Sequence, residues 1–166
     1  MLADAESVVA IPAPGEAFHG IMTGAFDLMH VVLAILNQAD ETCQHLRIAT
    51  LSYNRRNLTE LLHLLDTGST KKLSLICSRF FREHGKEFHD HSARELSARP
   101  GTRFAAPRSH CKVICFDFGE NTLALEGSAN LRTNGNWEQF VLINDRQLHN
   151  WHAAWIDGLL DKHESH

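Results

Sequence analysis

The chain has 166 residues, 43% hydrophobic and 22% charged, enough to bury one substantial core and close to the usual size of one domain. Its formal charge of −4 excludes a protein that coats nucleic acid with a uniformly basic surface, so any polyanion must be met by a local basic patch. The four cysteines, Cys43, Cys77, Cys111 and Cys115, form no Cys-x-x-Cys pair, which points away from a structural zinc site and toward reduced, buried thiols.

Residues 1–17 read as a loose N-terminal leader rich in Ala, Pro and Gly, with acidic residues where a secretion signal would be basic. No apolar run approaches the roughly 20 residues of a membrane span. A soluble, cytoplasmic protein with no membrane partner is the expectation. Phe18 to Thr23 then reads as a strand and Phe26 to Gln38 as a helix. The unit recurs, with Leu46 to Tyr53 as a strand, Leu58 to Leu65 as a helix and Thr67-Gly68-Ser69 as the turn that ends it. Lys71 to Ser78 begins a third unit, and Arg79 to Ala98 reads as one long polar helix stopped at Pro100-Gly101.

From there the pattern changes. Thr102 to Ala106, Lys112 to Phe118, Thr122 to Gly127 and Phe140 to Asn144 are strand-like with short connections, and Gln147 to Leu160 closes the chain as a helix. Alternating strands and helices followed by a meander predict an α/β sandwich, a mixed sheet flanked by helices. The predicted domain spans 18–160, with a C-terminal tail over 161–166 in which His163 and His166 are given no role.

The chemistry-bearing stretch is Ser109-His110-Cys111-Lys112-Val113-Ile114-Cys115-Phe116-Asp117, followed by Glu126-Gly127-Ser128-Ala129-Asn130. On strands of period two, His110 and Lys112 share a face, as do Ser128 and Asn130, so four polar groups can converge. The pattern His-x-Lys, Asp, Gly-Ser-x-Asn resembles the signature of the phospholipase D superfamily, and Asn136-Trp137-Glu138-Gln139 resembles its carboxylate-bearing strand; the likeness covers roughly Arg103 to Leu160.

The resemblance implies the α/β/α sandwich of that superfamily and a metal-independent phosphodiesterase with no cofactor. His110 would attack phosphorus and form a phosphohistidine. Glu138 would hold its other ring nitrogen, and Lys112, Ser128 and Asn130 would stabilise the phosphoryl oxygens. Family members normally use two such motifs, one histidine as nucleophile and one as acid. With one motif and no internal repeat, the expectation is a homodimer with a composite site, as in the small nucleases of the superfamily.

Asp117 lies an odd number of residues from His110, so it is expected to brace the turn at Gly119-Glu120-Asn121, with Gly127 as further structural support. Arg103 and Arg108 lie in a locally cationic approach and Arg55-Arg56 follows a strand end, which makes all four candidates for phosphate contact. An ordinary solvated face accounts for the same arginines equally well. Among the twelve histidines, His89 and His91 diverge on a helix and are expected at the surface rather than on a metal. Trp137, Trp151 and Trp155 are expected in the core or at a dimer interface.

Three functions fit this reading. The leading one is a nuclease acting on DNA or RNA. A phospholipase or phosphatidyltransferase would use the same histidine, and a nucleic-acid-binding protein could keep the fold without the chemistry.

Overall fold

The computed structural model describes residues 1–132 and 135–164, so His166, within the predicted tail, lies outside the described residues. The chain forms one seven-stranded mixed sheet in the order β1-β7-β6-β5-β2-β3-β4. In chain order its strands are β1 (Ala17–Met22), β2 (His45–Ala49), β3 (Leu73–Ile76), β4 (Thr102–Ala105), β5 (Val113–Asp117), β6 (Thr122–Gly127) and β7 (Glu138–Ile143). β2, β3 and β4 run parallel, as their long helical crossovers require, and the remaining pairs are antiparallel. No helix among the described residues is long and apolar enough to cross a membrane.

The helices are α1 (Leu2–Val8), α2 (Leu28–Gln38), α3 (Arg55–Asp66), α4 (Arg79–His84), α5 (Lys86–Ser97) and α6 (Arg146–His163). Strand alternation sorts the sheet residues between its faces. On one face Leu46, Ile48, Ile114, Phe116, Leu123, Leu125, Phe140 and Leu142 join residues of α1, α2, α3 and α5 in the main core. On the other, Ala49, Ile76, Ala105, Val113 and Cys115 meet Ile156 and Leu160 of α6 in a smaller one. This is the expected α/β/α sandwich.

Three local expectations change. The leader is not loose where α1 forms: Ala5 and Val9 are buried, and their small side chains let α1 lie against α2. The predicted helix from Arg79 to Ala98 is broken at Gly85, which leaves helical angles (φ −135°, ψ 43°) and donates its N–H to the Phe81 carbonyl at 2.9 Å. The result is a short α4 beside a separate α5. The last helix also runs to His163, beyond the expected end at Leu160.

Candidate active site

The strand register brings the motif residues to one end of the sheet, where β1, β2, β3, β4 and β6 finish and β5 and β7 begin. Ligands of open α/β sheets sit in the same position, outside strand ends where loops meet. His110 and Lys112 lie on the connection just before β5 rather than within it. They are brought together: Lys112 Nζ is 3.4 Å from His110 Nδ1 and donates to the His110 carbonyl at 3.2 Å. His110 is exposed and Lys112 half-buried.

Ser128 and Glu138 form the second pair, one residue past β6 and at the first position of β7. Ser128 Oγ donates to Glu138 Oε2 and accepts from the Gln139 N–H at 3.1 Å. The Gly127 N–H reaches the Lys112 carbonyl at 3.4 Å, joining the two pairs through the backbone. Gly127 is required there, because an added Cβ would lie 2.6 Å from the Gln139 carbonyl oxygen and 3.3 Å from the Phe140 Cα. The expected hydrogen bond from Glu138 to His110 is therefore replaced. Within one chain the carboxylate turns to Ser128, and His110 Nδ1 faces the Lys112 ammonium.

Asn130 shares a small cleft with Glu138, Arg132, Asn136 and Asp27. Its Oδ1 is buried without a hydrogen-bond partner, a costly arrangement away from a functional site. The turn that carries it is anchored to the end of β2 by the Leu131 N–H on Thr50 Oγ1 at 3.3 Å.

Asp27 was missed as a site neighbour, although Asp27-Leu28-Met29-His30 is legible as a helix start. Its carboxylate caps α2 and lies 2.6 Å from Nδ1 of the buried His30, and Arg56 reaches His30 Nε2. A guanidinium can only donate, so Nε2 accepts and Nδ1–H points at Asp27. The Asp27 backbone N–H, 3.1 Å from the same Nδ1, is then a close neighbour rather than a donor to it.

The other expected arginines divide. Arg56 also pairs with Glu60 at 2.9 Å, and Arg55 lies over the Phe88 ring, 5.2 Å from its centroid. Arg108 lines a groove with His110 and has no carboxylate within ion-pair distance among the described residues. Arg103 is held by carboxylates: its guanidinium is bound by Glu164 at 2.9 Å and Asp161 at 2.7 Å, which together raise its pKa. Asp117 sits at the far end of β5 and accepts from the Gly119 N–H at 2.8 Å, in the turn beyond.

Further expectations are corrected by burial. Cys43, Cys77 and Cys115 are buried, and burial pushes the Cys77 and Cys115 thiols up to about 12, but Cys111 is exposed between His110 and Lys112. His89 is buried, not at the surface, with its ring 5.0 Å from that of Phe104. Trp137 and Trp151 are 78% and 64% exposed and belong to no core of this chain, whereas Trp155 is half-buried and donates to His152 Nδ1 at 2.9 Å. No group of three or more His, Cys, Asp or Glu among the described residues is placed to hold a metal ion.

No protein-family model matches the chain, and no curated protein matches it. Solved structures do. NucT from Helicobacter pylori is 16% identical with a TM-score of 0.63, covering 91% of this chain and 100% of its own. Nuc from Salmonella typhimurium, a phospholipase D family member, is 14% identical with a TM-score of 0.64, covering 90% and 96%. Phosphatidylserine synthase from Haemophilus influenzae Rd KW20 is 15% identical with a TM-score of 0.60, but only 39% of its chain is covered. Over nearly its whole length, then, the chain has the fold of the phospholipase D family.

Proposed function

We propose that the chain is a metal-independent phosphodiesterase that cleaves nucleic acid through His110, at a site completed by a second copy of the chain. The observation that carries the proposal is the meeting of His110 with Lys112, and of Ser128 with Glu138, at one sheet end, bridged by the bond from Gly127 to Lys112. That the fold match covers all of NucT and nearly all of Nuc, but 39% of the phosphatidylserine synthase, supports this reading over the lipid-acting one.

Binding of a phosphoryl group would draw the Lys112 ammonium from the imidazole to the non-bridging oxygens. With the ammonium withdrawn, the neutral ring can release its Nε2 proton to solvent and take one from solvent at Nδ1, so the Nε2 lone pair is free to attack. As Nε2 bonds to phosphorus the bond to the leaving oxygen breaks, and that oxygen takes a proton from His110 of the second copy. The same imidazole then removes a proton from water as the water displaces His110, which returns both histidines to their starting forms. The amide oxygen of Asn130 is unpaired in the small cleft beside Glu138.

The test is cleavage of single-stranded DNA, duplex DNA, RNA and phospholipid vesicles in excess chelator, by the wild-type chain and by His110→Ala. Nucleic-acid cleavage by wild type alone, unaffected by chelator, is expected. Cleavage that persists in the variant or disappears with chelator overturns the mechanism, and turnover of phospholipid alone overturns the substrate. Mixing the variant with wild type should depress activity beyond dilution, and a fully active monomer in light scattering would refute the shared site.

A further inference from the structure

We infer that the groove between α4 and the loop carrying His110 is a subsite for one unpaired nucleobase, stacked on Phe80, with its neighbouring phosphate held at Arg108. The inference rests on the proposed nucleic-acid substrate and specifies its form. The groove is lined by Leu51, Ser78, Arg79, Phe80, Glu83 and Arg108, reaches Ser109 and His110, and measures about 340 Å³. That volume falls at the lower end of the range of about 300 to 1,000 Å³ typical of small-ligand clefts.

A singly exposed phenylalanine is ordinary on a protein surface. Phe80, 60% exposed, differs in its surroundings. The His84 ring stacks on it at 3.9 Å with an interplanar angle of 30°, and the His84 ring nitrogen Nδ1 is tied to the Phe80 carbonyl at 2.8 Å. One face of the ring is thus backed by a second flat ring, while the side chain stays open to the groove. The ring is also fixed relative to His110: the Arg79 N–H donates to the Pro107 carbonyl at 2.7 Å, and the Ser78 N–H to the Leu51 carbonyl at 3.2 Å. These bonds fasten the start of α4 to both loops that form the groove walls.

Charge gives the groove a direction. Arg79 is paired with Glu83 at 2.6 Å, and that guanidinium holds the Glu83 carboxyl below the usual carboxylate range. The α4 wall is therefore close to neutral and aromatic, whereas the opposite wall carries Arg108 next to His110. A nucleotide fits one way round, with its base against Phe80 and its phosphate toward Arg108 and the proposed nucleophile. Stacking on an aromatic ring requires the base to leave its neighbours in a duplex, so the substrate is single-stranded or locally unpaired.

The experiment compares a short thymidine oligonucleotide with a chain of the same length and charge made of abasic units. Binding is measured by fluorescence anisotropy and cleavage by KM and kcat, for wild type, Phe80→Ala and Phe80→Trp. Wild type should bind the thymidine strand about tenfold better than the abasic one. Phe80→Ala should lose that preference through KM with little change in kcat, and Phe80→Trp should restore it. Equal discrimination by wild type and Phe80→Ala overturns the subsite while leaving the phosphodiesterase standing. A wild type that neither binds nor cuts either strand removes the proposed function, and the subsite with it. Loss of the dimer in Phe80→Ala, or loss of binding to phosphatidylglycerol vesicles instead of the oligonucleotide, overturns the subsite by assigning the ring to another surface.

Discussion

The α6 face of the sheet and the loop end of the sheet carry similar polar residues and treat them differently. Beneath α6 the charges are matched: Arg47 makes a forked contact with Asp157 at 3.0 to 3.1 Å, and Arg103 is held by Asp161 and Glu164. Two histidines there have partners too, His45 on Ser74 at 2.9 Å and His152 between Glu126 and Trp155, although Nε2 of the buried His149 has none. At the loop end, His110, Lys112 and Arg108 have no carboxylate partner among the described residues, and Asn130 Oδ1 is buried and unpaired. Paired groups fix the position of a helix; cations without anions are set for one that arrives from outside.

The strongest way to test this division is His110→Ala. Removing the proposed nucleophile should lower phosphodiester turnover by about 10⁴-fold or more, as loss of a covalent catalyst does. Because the His110 side chain is exposed and bonds weakly to Lys112, the unfolding midpoint should stay within about 1 °C. A large loss of stability would show that the loop end is structural after all.

Gly127→Ala tests how far the loop end depends on the sheet beneath it, since the residue sits where β6 meets β7. Its Cβ would press on the Gln139 carbonyl and Phe140 backbone, neither of which is a flexible side-chain end, and force β6 from β7 beneath Ser128 and Glu138. Overpacking of this kind costs about 1 to 3 kcal/mol. Urea denaturation should register that loss, and turnover measured on the folded fraction should fall as well. Full turnover at reduced stability would detach the Ser128 and Glu138 pair from the chemistry.

How much of this was legible in sequence depended on the distance between interacting residues. β2 was readable because its apolar residues alternate, and α2 because its apolar residues follow helical spacing. The break at Gly85 had a local sign, the glycine itself, but the flanking polar residues continue the helical pattern and concealed it. The motif likewise announced His110, Lys112, Ser128 and Asn130. What it could not announce was pairing at long range: Arg103 finds Asp161 and Glu164 at separations of 58 and 61 residues, and nothing near Arg103 in sequence distinguishes it from Arg108. Glu138 was recognisable as a site carboxylate but not as the partner of Ser128 rather than of His110, because that choice depends on how β6 and β7 meet.

Acid should expose the α6 face selectively. Burial, reinforced by the nearby Arg47 and Lys72 charges and opposed by Asp157 and Asp117, lowers the pKa of His45 from 6.5 to about 4. The unfolded chain therefore takes up this proton near pH 6.5, whereas the folded chain refuses it until about pH 4. Stability is complete above pH 6.5, declines as the pH falls from 6.5 to 4, and levels off below for this group. The partly exposed ring limits the contribution to on the order of 2 kcal/mol. Burial lowers His149 in the same direction. Thermal unfolding between pH 7.5 and 5 should show the decline, and His45→Gln, which keeps a group able to bond Ser74, should show a shallower one. Identical slopes would remove His45 as the cause.

The smallest effect belongs to Arg103→Ala, and it bears most directly on the division between the two regions. If Arg103 serves α6, the substitution should cost about 1 kcal/mol or less, because its partners stay partly exposed and solvent can hydrate Asp161 and Glu164 once the guanidinium is gone. It should leave nucleic-acid binding and the salt dependence of that binding unchanged. Arg108→Ala should do the reverse, with no measurable change in stability and a reduction of about one in the slope of log K against log salt, the amount expected when one phosphate contact is lost. Both arginines lie in the same cationic stretch of sequence, so opposite outcomes would locate the difference in their partners. A reduced salt slope in Arg103→Ala would instead mean that its ion pairs open to admit a phosphate, and would place the edge of β4 within the binding surface.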